Sequence, residues 1–245
     1  MSTRVKQNII RTGIDILDRT IGGGIPSGSV VYISADPRSM SEIFLYQFTQ
    51  ARSKDGELRK TYYFATERRP EYIKNDILNL DFDVSNITFV DIYSEYYLTP
   101  TGEMIDSVGN EYADSKILEF VENELNIIQT EGKSVNIIMD TWSFFMNLNV
   151  NIGMIKRLLK IIYETTKEIN GVTYLYALKR THKENIENEI INACDVIFDV
   201  ELERSSDKIA SKLSIPKIRG MVPSAEMIKF KVGYGVQIDT SKDIA

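Results

Sequence analysis

The sequence predicts an α/β domain: a mainly parallel sheet covered by helices on both faces, with an antiparallel extension at its carboxyl end. Three observations predict it. From Ser29 to about Glu203, short β-branched and aromatic runs alternate with amphipathic stretches, the order of parallel strands joined by crossover helices. Beyond Arg204 the alternation stops, and three strand-like runs follow one another across tight turns. No stretch reads as a linker, and a chain of 245 residues that is 43% hydrophobic can enclose one substantial core. Residues 1–245 are therefore expected to form one domain.

Each element has its own local reason. "TGIDILDRTI" places Ile14, Leu17, Asp18 and Ile21 at helical spacing, with Thr12 positioned to cap and "GGG" to stop the helix. "SVVYIS" is a buried strand ending near Ser34. From Ser39 to Arg52, Ile43, Phe44, Phe48 and Ala51 form one apolar helix face. "KTYYFAT" is the next strand, and "RPEYIKNDILNL" is a helix with Pro70 in its first turn. "NITFVDIY" is a strand, whereas "SEYYLTPTGEMIDSVGN" has no sustained period and reads as loop with a short helix. A helix from about Ala113 to Thr130 presents Ile117, Leu118, Val121, Leu125 and Ile128 on one side. "SVNIIMD" is a strand ending in Asp140, and the helix from about Ile152 to Ile169 presents Ile155, Leu158, Leu159 and Ile162. "GVTYLYAL", "ENIENEIINAC" and "DVIFDVELE" complete the alternation as strand, helix and strand. "KIASKLSIPKIRG", "AEMIKFKVG" and "YGVQID" are the three runs of the extension.

Composition narrows the chemistry. A net charge of -6 argues against a broad nucleic-acid surface while leaving room for a local basic patch. One cysteine, Cys194, and one histidine, His182, exclude a disulfide within the chain and a Cys/His zinc cluster, so no metal site is expected beyond a carboxylate-held magnesium. No segment reaches the roughly 18 uninterrupted apolar residues of a membrane-spanning helix. The expectation is a cytoplasmic protein without membrane contact. Trp142 with "SFFMNL", like Cys194, is expected in the core.

The segments "TGIDILDRTIGGGIPSGSVVYIS", "YYFATERRPEYI", "IIMDTWSF", "NACDVIFDVE", "PKIRG" and "GVQID" together resemble the RecA superfamily of ATPases, most closely its KaiC-like and RadA-paralogue members of archaeal type. The similarity runs over nearly the whole chain in the expected order and implies a RecA-like P-loop NTPase fold. It also locates the phosphate loop, which in the family follows G-x-x-x-x-G-K-[ST]. There, glycines let backbone N–H groups converge on phosphate, the lysine supplies charge and the hydroxyl places magnesium. This chain offers Ala35, Asp36, Pro37, Arg38, Ser39, Met40, Ser41 and Glu42. The two glycine positions hold Ala35 and Met40, the lysine position Ser41 and the hydroxyl position Glu42, so the Walker A motif is degenerate.

These replacements change the electrostatics. Glu42 sets an anion at the helix end that would meet phosphate, and two like charges about 4 Å apart repel by about 4 kcal/mol at an effective dielectric of roughly 20. Met40 cannot take a positive-φ glycine conformation without strain. Ser39 and Glu42 also form an S-x-x-E capping box, which would satisfy the helix N–H groups without an external anion. No cofactor is expected, with Mg-ATP as the alternative.

The remaining positions each carry two readings. The resemblance makes Glu67 the first of the paired glutamates that orient the attacking water, with Arg68 in place of the second. Its plainer roles are an ion pair with Arg38, Arg68 or Arg69, or simple exposure to solvent. Asp140 stands at the Walker B aspartate, which holds magnesium through water, or it caps the loop it begins. Ser34, Glu67 and Asp140 are expected together at the carboxyl ends of the strands. Lys217 and Arg219 resemble the K-x-R segment with which relatives reach a neighbouring subunit's nucleotide, and are otherwise an exposed basic pair. Lys179, Arg180 and Lys183 surround His182 in a basic loop suited to nucleic-acid phosphate or to plain solvation. Catalytic residues are therefore expected only as vestiges, Glu67 and Asp140. The implied function is a non-catalytic ATPase homologue in assembly, regulation or signalling, as a homo-oligomer, with a protein partner or beside an active relative. The alternatives are an atypical ATP hydrolase using Arg38, Glu67 and Asp140, and an accessory recombination or DNA-binding protein.

Overall fold

The computed structural model describes residues 8–204, 209–223 and 227–238. In chain order the elements are β1 (Ile9–Ile10), α1 (Asp15–Thr20), β2 (Ile25–Pro26), β3 (Ser29–Ala35), α2 (Glu42–Phe48), β4 (Thr61–Ala65), α3 (Pro70–Asn79) and β5 (Ile87–Asp91). They continue with α4 (Ile92–Tyr97), α5 (Glu111–Glu131), β6 (Asn136–Asp140), α6 (Trp142–Met146), α7 (Ile152–Ile169), β7 (Val172–Leu178) and α8 (Glu184–Ala193). The last are β8 (Val196–Arg204), β9 (Ile209–Ile218), β10 (Ile228–Gly233) and β11 (Gly235–Ile238). The starts predicted for the last runs at 208 and 225–226, and the end at Asp239, lie outside the described residues.

Among the described residues the main sheet has the order β11-β10-β9-β8-β3-β7-β6-β4-β5. From β8 to β5 every pairing is parallel, while β8 to β11 are antiparallel. The predicted division between a parallel body and an antiparallel tail is therefore observed. The central strands are buried on both faces, which is why they read as continuous apolar runs rather than alternating ones.

Two apolar layers flank the sheet. On one side Val31, Ile33, Tyr63, Ile138 and Tyr174 pack with Ile43, Phe44 and Phe48 of α2, Ile73 and Ile77 of α3, and Phe230 of the extension. On the other, Val30, Tyr32, Phe64, Ile137 and Leu175 meet Ile117, Leu118, Val121, Leu125 and Ile128 of α5 and Ile155, Leu158, Leu159 and Ile162 of α7. These are the helix faces the periodicity selects. Trp142 and Cys194 are fully buried, as expected.

One feature was not legible in the sequence, and the short helix expected after β5 is found. The opening arm pairs as a small hairpin, Ile9 with Pro26 and Ile10 with Ile25. It requires Gly24, at φ +137°, where a Cβ would lie 2.2 Å from the Ile10 carbonyl oxygen. The aperiodic stretch after β5 begins with α4, whose Asp91 cap accepts from Ser94 N and whose Tyr96 is buried against Asp114.

Candidate functional site

The degenerate loop links β3 to α2, and β7 lies between β3 and β6. Tyr176 stands in register with both Ile33 and Asp140, so its side chain lies between the loop and the β6 aspartate. The site is therefore framed by the loop, the ends of β7 and β6, and the segment after β4.

Within the loop, the Asp36 carboxylate is held by Arg38. Its Oδ1 accepts from Arg38 N at 2.9 Å and Arg38 Nε at 3.0 Å, and its Oδ2 pairs with the guanidinium at 2.8 Å. Bonding to Arg38, with a smaller effect of Arg180, holds the Asp36 carboxyl well below the usual range. The expected capping box does not form. Ser39 Oγ donates to the Asp36 carbonyl at 2.6 Å, and Ser39 N donates to the same oxygen at 2.9 Å. The helix begins at Glu42, not at Ser39, and Ser41 at its start makes no side-chain cap. A nearer backbone acceptor has outcompeted the helix terminus for the serine. Ser41 Oγ instead bonds to Tyr176 Oη at 3.1 Å and Ser39 Oγ at 2.9 Å.

Met40 takes the positive φ at the cost that its Cβ implies. It occupies the second glycine position at φ +53°, with its side chain exposed. The positive-φ bend is thus kept although the glycine is gone, at a local cost of about 1 kcal/mol. An exposed side chain makes the bend tolerable, since no packing opposes it.

On the β6 side, Asp140 accepts from Tyr63 Oη at 2.6 Å through Oδ2. Its carbonyl accepts from Thr66 N and Oγ1, each at 2.9 Å. It caps no loop, which corrects one reading, because the next residue, Thr141, caps α6 by accepting from Phe144 N. Burial pushes the Asp140 carboxyl up from 3.8 to about 6, opposed by the Tyr63 hydrogen bond and the Arg68 charge and reinforced by Glu42 and Glu67. Burial likewise holds the Tyr46, Tyr63 and Tyr176 hydroxyls above their ordinary range, so they remain protonated partners.

Glu67 is exposed and makes no ion pair or hydrogen bond among the described residues, so the expected pairing with an arginine is absent. Partial burial raises its carboxyl. Arg68 is the residue that sequence reasoning passed over. It pairs with Asp76 at 2.6 Å, donates to Tyr46 Oη and lies close enough to Asp140 to lower it. The visible signal was the reversal of charge at the second glutamate position. Its tyrosine partner, Tyr46, lies 22 residues away in sequence and left no local trace.

The other predicted residues are dispersed. Ser34 turns away from the loop, and with Tyr32 Oη it meets Glu187 Oε1 at 3.4 and 3.1 Å on the α7 and α8 face of the sheet. Lys179 pairs with Asp199 and, at 3.4 Å, with Glu201. The His182 ring is buried, with Nε2 3.2 Å from Glu187. Arg180 and Lys183 are exposed. Lys217 and Arg219 lie at the opposite end of the sheet from the loop, since Ile218 pairs with the first residue of β8. They are not a free basic pair. Lys217 Nζ donates to the Ile191 and Asn192 carbonyls at 3.0 and 3.1 Å, closing the end of α8, and Arg219 Nε sits 3.0 Å from the buried Asp195 carboxylate.

Among the described residues no group of three or more Asp, Glu, His or Cys side chains is arranged to hold a metal ion. No helix there is long and apolar enough to cross a membrane.

A family model described as "Family of unknown function (DUF7125)" matches residues 9–245. The chain belongs to this family. Among curated proteins no sequence matches it. Solved structures do. The KaiC-like protein PH0186 of the hyperthermophilic archaeon Pyrococcus horikoshii OT3 aligns over 95% of this chain and 99% of its own, with a TM-score of 0.72 and 16% identity. The flagellar accessory protein FlaH of Methanocaldococcus jannaschii aligns over 96% of this chain and 100% of its own, with a TM-score of 0.69 and 15% identity. The DUF7125 chain thus shares the fold of these two proteins, in keeping with the RecA-like fold that the sequence segments implied.

Proposed function

We propose that this DUF7125 chain is a non-catalytic RecA-like protein that serves in assembly, regulation or signalling, through a protein partner or a second copy of itself. The observation that carries the reading is the mutual satisfaction of Asp36 and Arg38 inside the loop. A loop whose backbone and cation already hold a carboxylate has little left to offer a phosphate. The β6 side supports the same reading. Arg68 and the hydroxyls of Tyr46, Tyr63 and Tyr176 surround Asp140 and Ser41, so the chain's own groups meet the polar demands of the cleft. Nothing specific favours the hydrolase alternative, because Arg38, its supposed phosphate contact, is spent on Asp36. The DNA-binding alternative loses Lys179 to Asp199 and Glu201. An accessory role also suits the description of FlaH as a flagellar accessory protein, an analogy of fold alone.

A steady-state ATPase assay with magnesium tests the reading. No turnover above the buffer blank is expected. Turnover abolished by both Glu67→Gln and Asp140→Asn would overturn it.

A further inference from the structure

A second polar site lies at the opposite end of the sheet from the modified loop. The β1–β2 hairpin, the turn after α1 and the 53–57 turn closed by the Arg52–Leu58 bridge enclose a cavity of about 810 Å³ at the amino-terminal ends of β4 and β6. Its size is that of a small-molecule pocket. Among the described residues Arg11, Arg52, Lys54 and Arg59 line it, against a single lining carboxylate, Asp55. This concentration of positive charge occurs in a chain of net charge -6.

The cations are only partly engaged. Arg11 and Lys54 are exposed and have no hydrogen-bond or ion-pair partner among the described residues. Arg52 gives Nη1 to the Gly56 carbonyl at 2.7 Å. Arg59 is half-buried, with one long bond from Nε to Asn136 Oδ1 at 3.4 Å and a buried Nη2 that has no partner. That Nη2 is closed off from the cavity, so it is the accessible remainder of the Arg59 guanidinium that lines the wall. Behind it, Tyr174 Oη and Asp18 Oδ2 are also buried and unpartnered. Tyr174 feels the charges of both Asp18 and Arg59. Gly22, Gly23 and Gly56 leave part of the wall bare of side chains, which lets a ligand approach the backbone.

We infer that this cavity binds a small phosphorylated molecule carrying two or more negative charges, with Arg59 and Arg52 supplying planar, forked donors and Arg11 and Lys54 the surrounding positive field. Guanidinium forks match phosphate oxygens in pairs.

The test is calorimetric titration of the full chain with sodium pyrophosphate at moderate salt. Saturable one-to-one binding is expected, with a dissociation constant below about 1 mM. The double variant Arg11→Glu/Lys54→Glu changes only exposed side chains and should weaken it by at least about tenfold. Arg38→Glu, in the modified loop, should leave it unchanged. Absence of saturable binding would overturn the inference, and so would binding indifferent to the double variant. Loss of binding in Arg38→Glu alone would move the anion to the loop. Affinity for a single-stranded oligonucleotide without affinity for pyrophosphate would assign the cations to nucleic acid instead.

Discussion

Replacing Asp140 by asparagine removes a charge while keeping the shape, and the structure gives both sign and size for the effect. Asp140 is buried, and its carboxyl is raised from 3.8 to about 6. A group raised on folding stabilises the fold fully below the unfolded value, near pH 4, and that contribution is lost as pH rises through about 6. Above pH 7 the wild-type chain therefore carries a buried carboxylate that costs about 3 kcal/mol relative to its neutral form. Asparagine keeps an oxygen for the Tyr63 hydroxyl, which lies 2.6 Å from the present carboxylate, and it removes the repulsion by the Glu42 and Glu67 charges. Asp140→Asn should be more stable than wild type by about 2–3 kcal/mol at pH 8, a rise of roughly 5–10 °C in melting temperature for a chain of this size. The gain should shrink to nothing below about pH 4. Thermal denaturation followed by circular dichroism across this range measures it. A variant less stable at pH 8, or a gain independent of pH, would refute the account of the buried carboxylate.

Three further outcomes follow from the same geometry. Met40→Gly relieves a positive φ at an exposed residue and should stabilise the chain by about 0.5–1 kcal/mol in urea denaturation, whereas a loss of stability would show that the methionine side chain packs. Arg219→Ala leaves the buried Asp195 with Lys167 as its remaining ion-pair partner and should cost about 1 kcal/mol in the isolated chain; an unchanged unfolding midpoint would return Arg219 to a role outside its own subunit. Ser41→Lys combined with Glu42→Thr restores the family's lysine and hydroxyl, yet titration with Mg-ATP should still give no micromolar binding, because Arg38 and Asp36 continue to occupy the loop; binding at that level would show that two side chains alone had closed the site.

Fold and site were unequally legible, for physical reasons. The strands declared themselves through apolar runs such as "SVVYIS" and "NIIMD", and α5 and α7 through one-sided periodicity, because burial of a strand or a helix face is a local property of sequence. The replaced loop chemistry was legible too, position by position. What the loop does instead was not. Ser39 and Glu42 satisfied the spacing of a capping box, but the Ser39 hydroxyl lies 2.6 Å from the Asp36 carbonyl, an acceptor created by the fold of the loop itself. The partners of Asp140 come from β4 and the segment after it, 77 residues away in the case of Tyr63, and no sequence period links them. Lys217 and Arg219 looked free because the carbonyls and carboxylate they bind belong to α8 and the residue before β8.

The central claim is that the site at the end of β3 and β6 is occupied by the chain's own groups and does not take up Mg-ATP. Calorimetric titration with Mg-ATP of both the wild-type chain and the Arg11→Glu/Lys54→Glu variant, in which the distal cavity has lost its exposed cations, tests it most directly. The account predicts no saturable binding to the variant below about 100 μM. A dissociation constant below that value in the variant, abolished by adding Asp140→Asn, would contradict it.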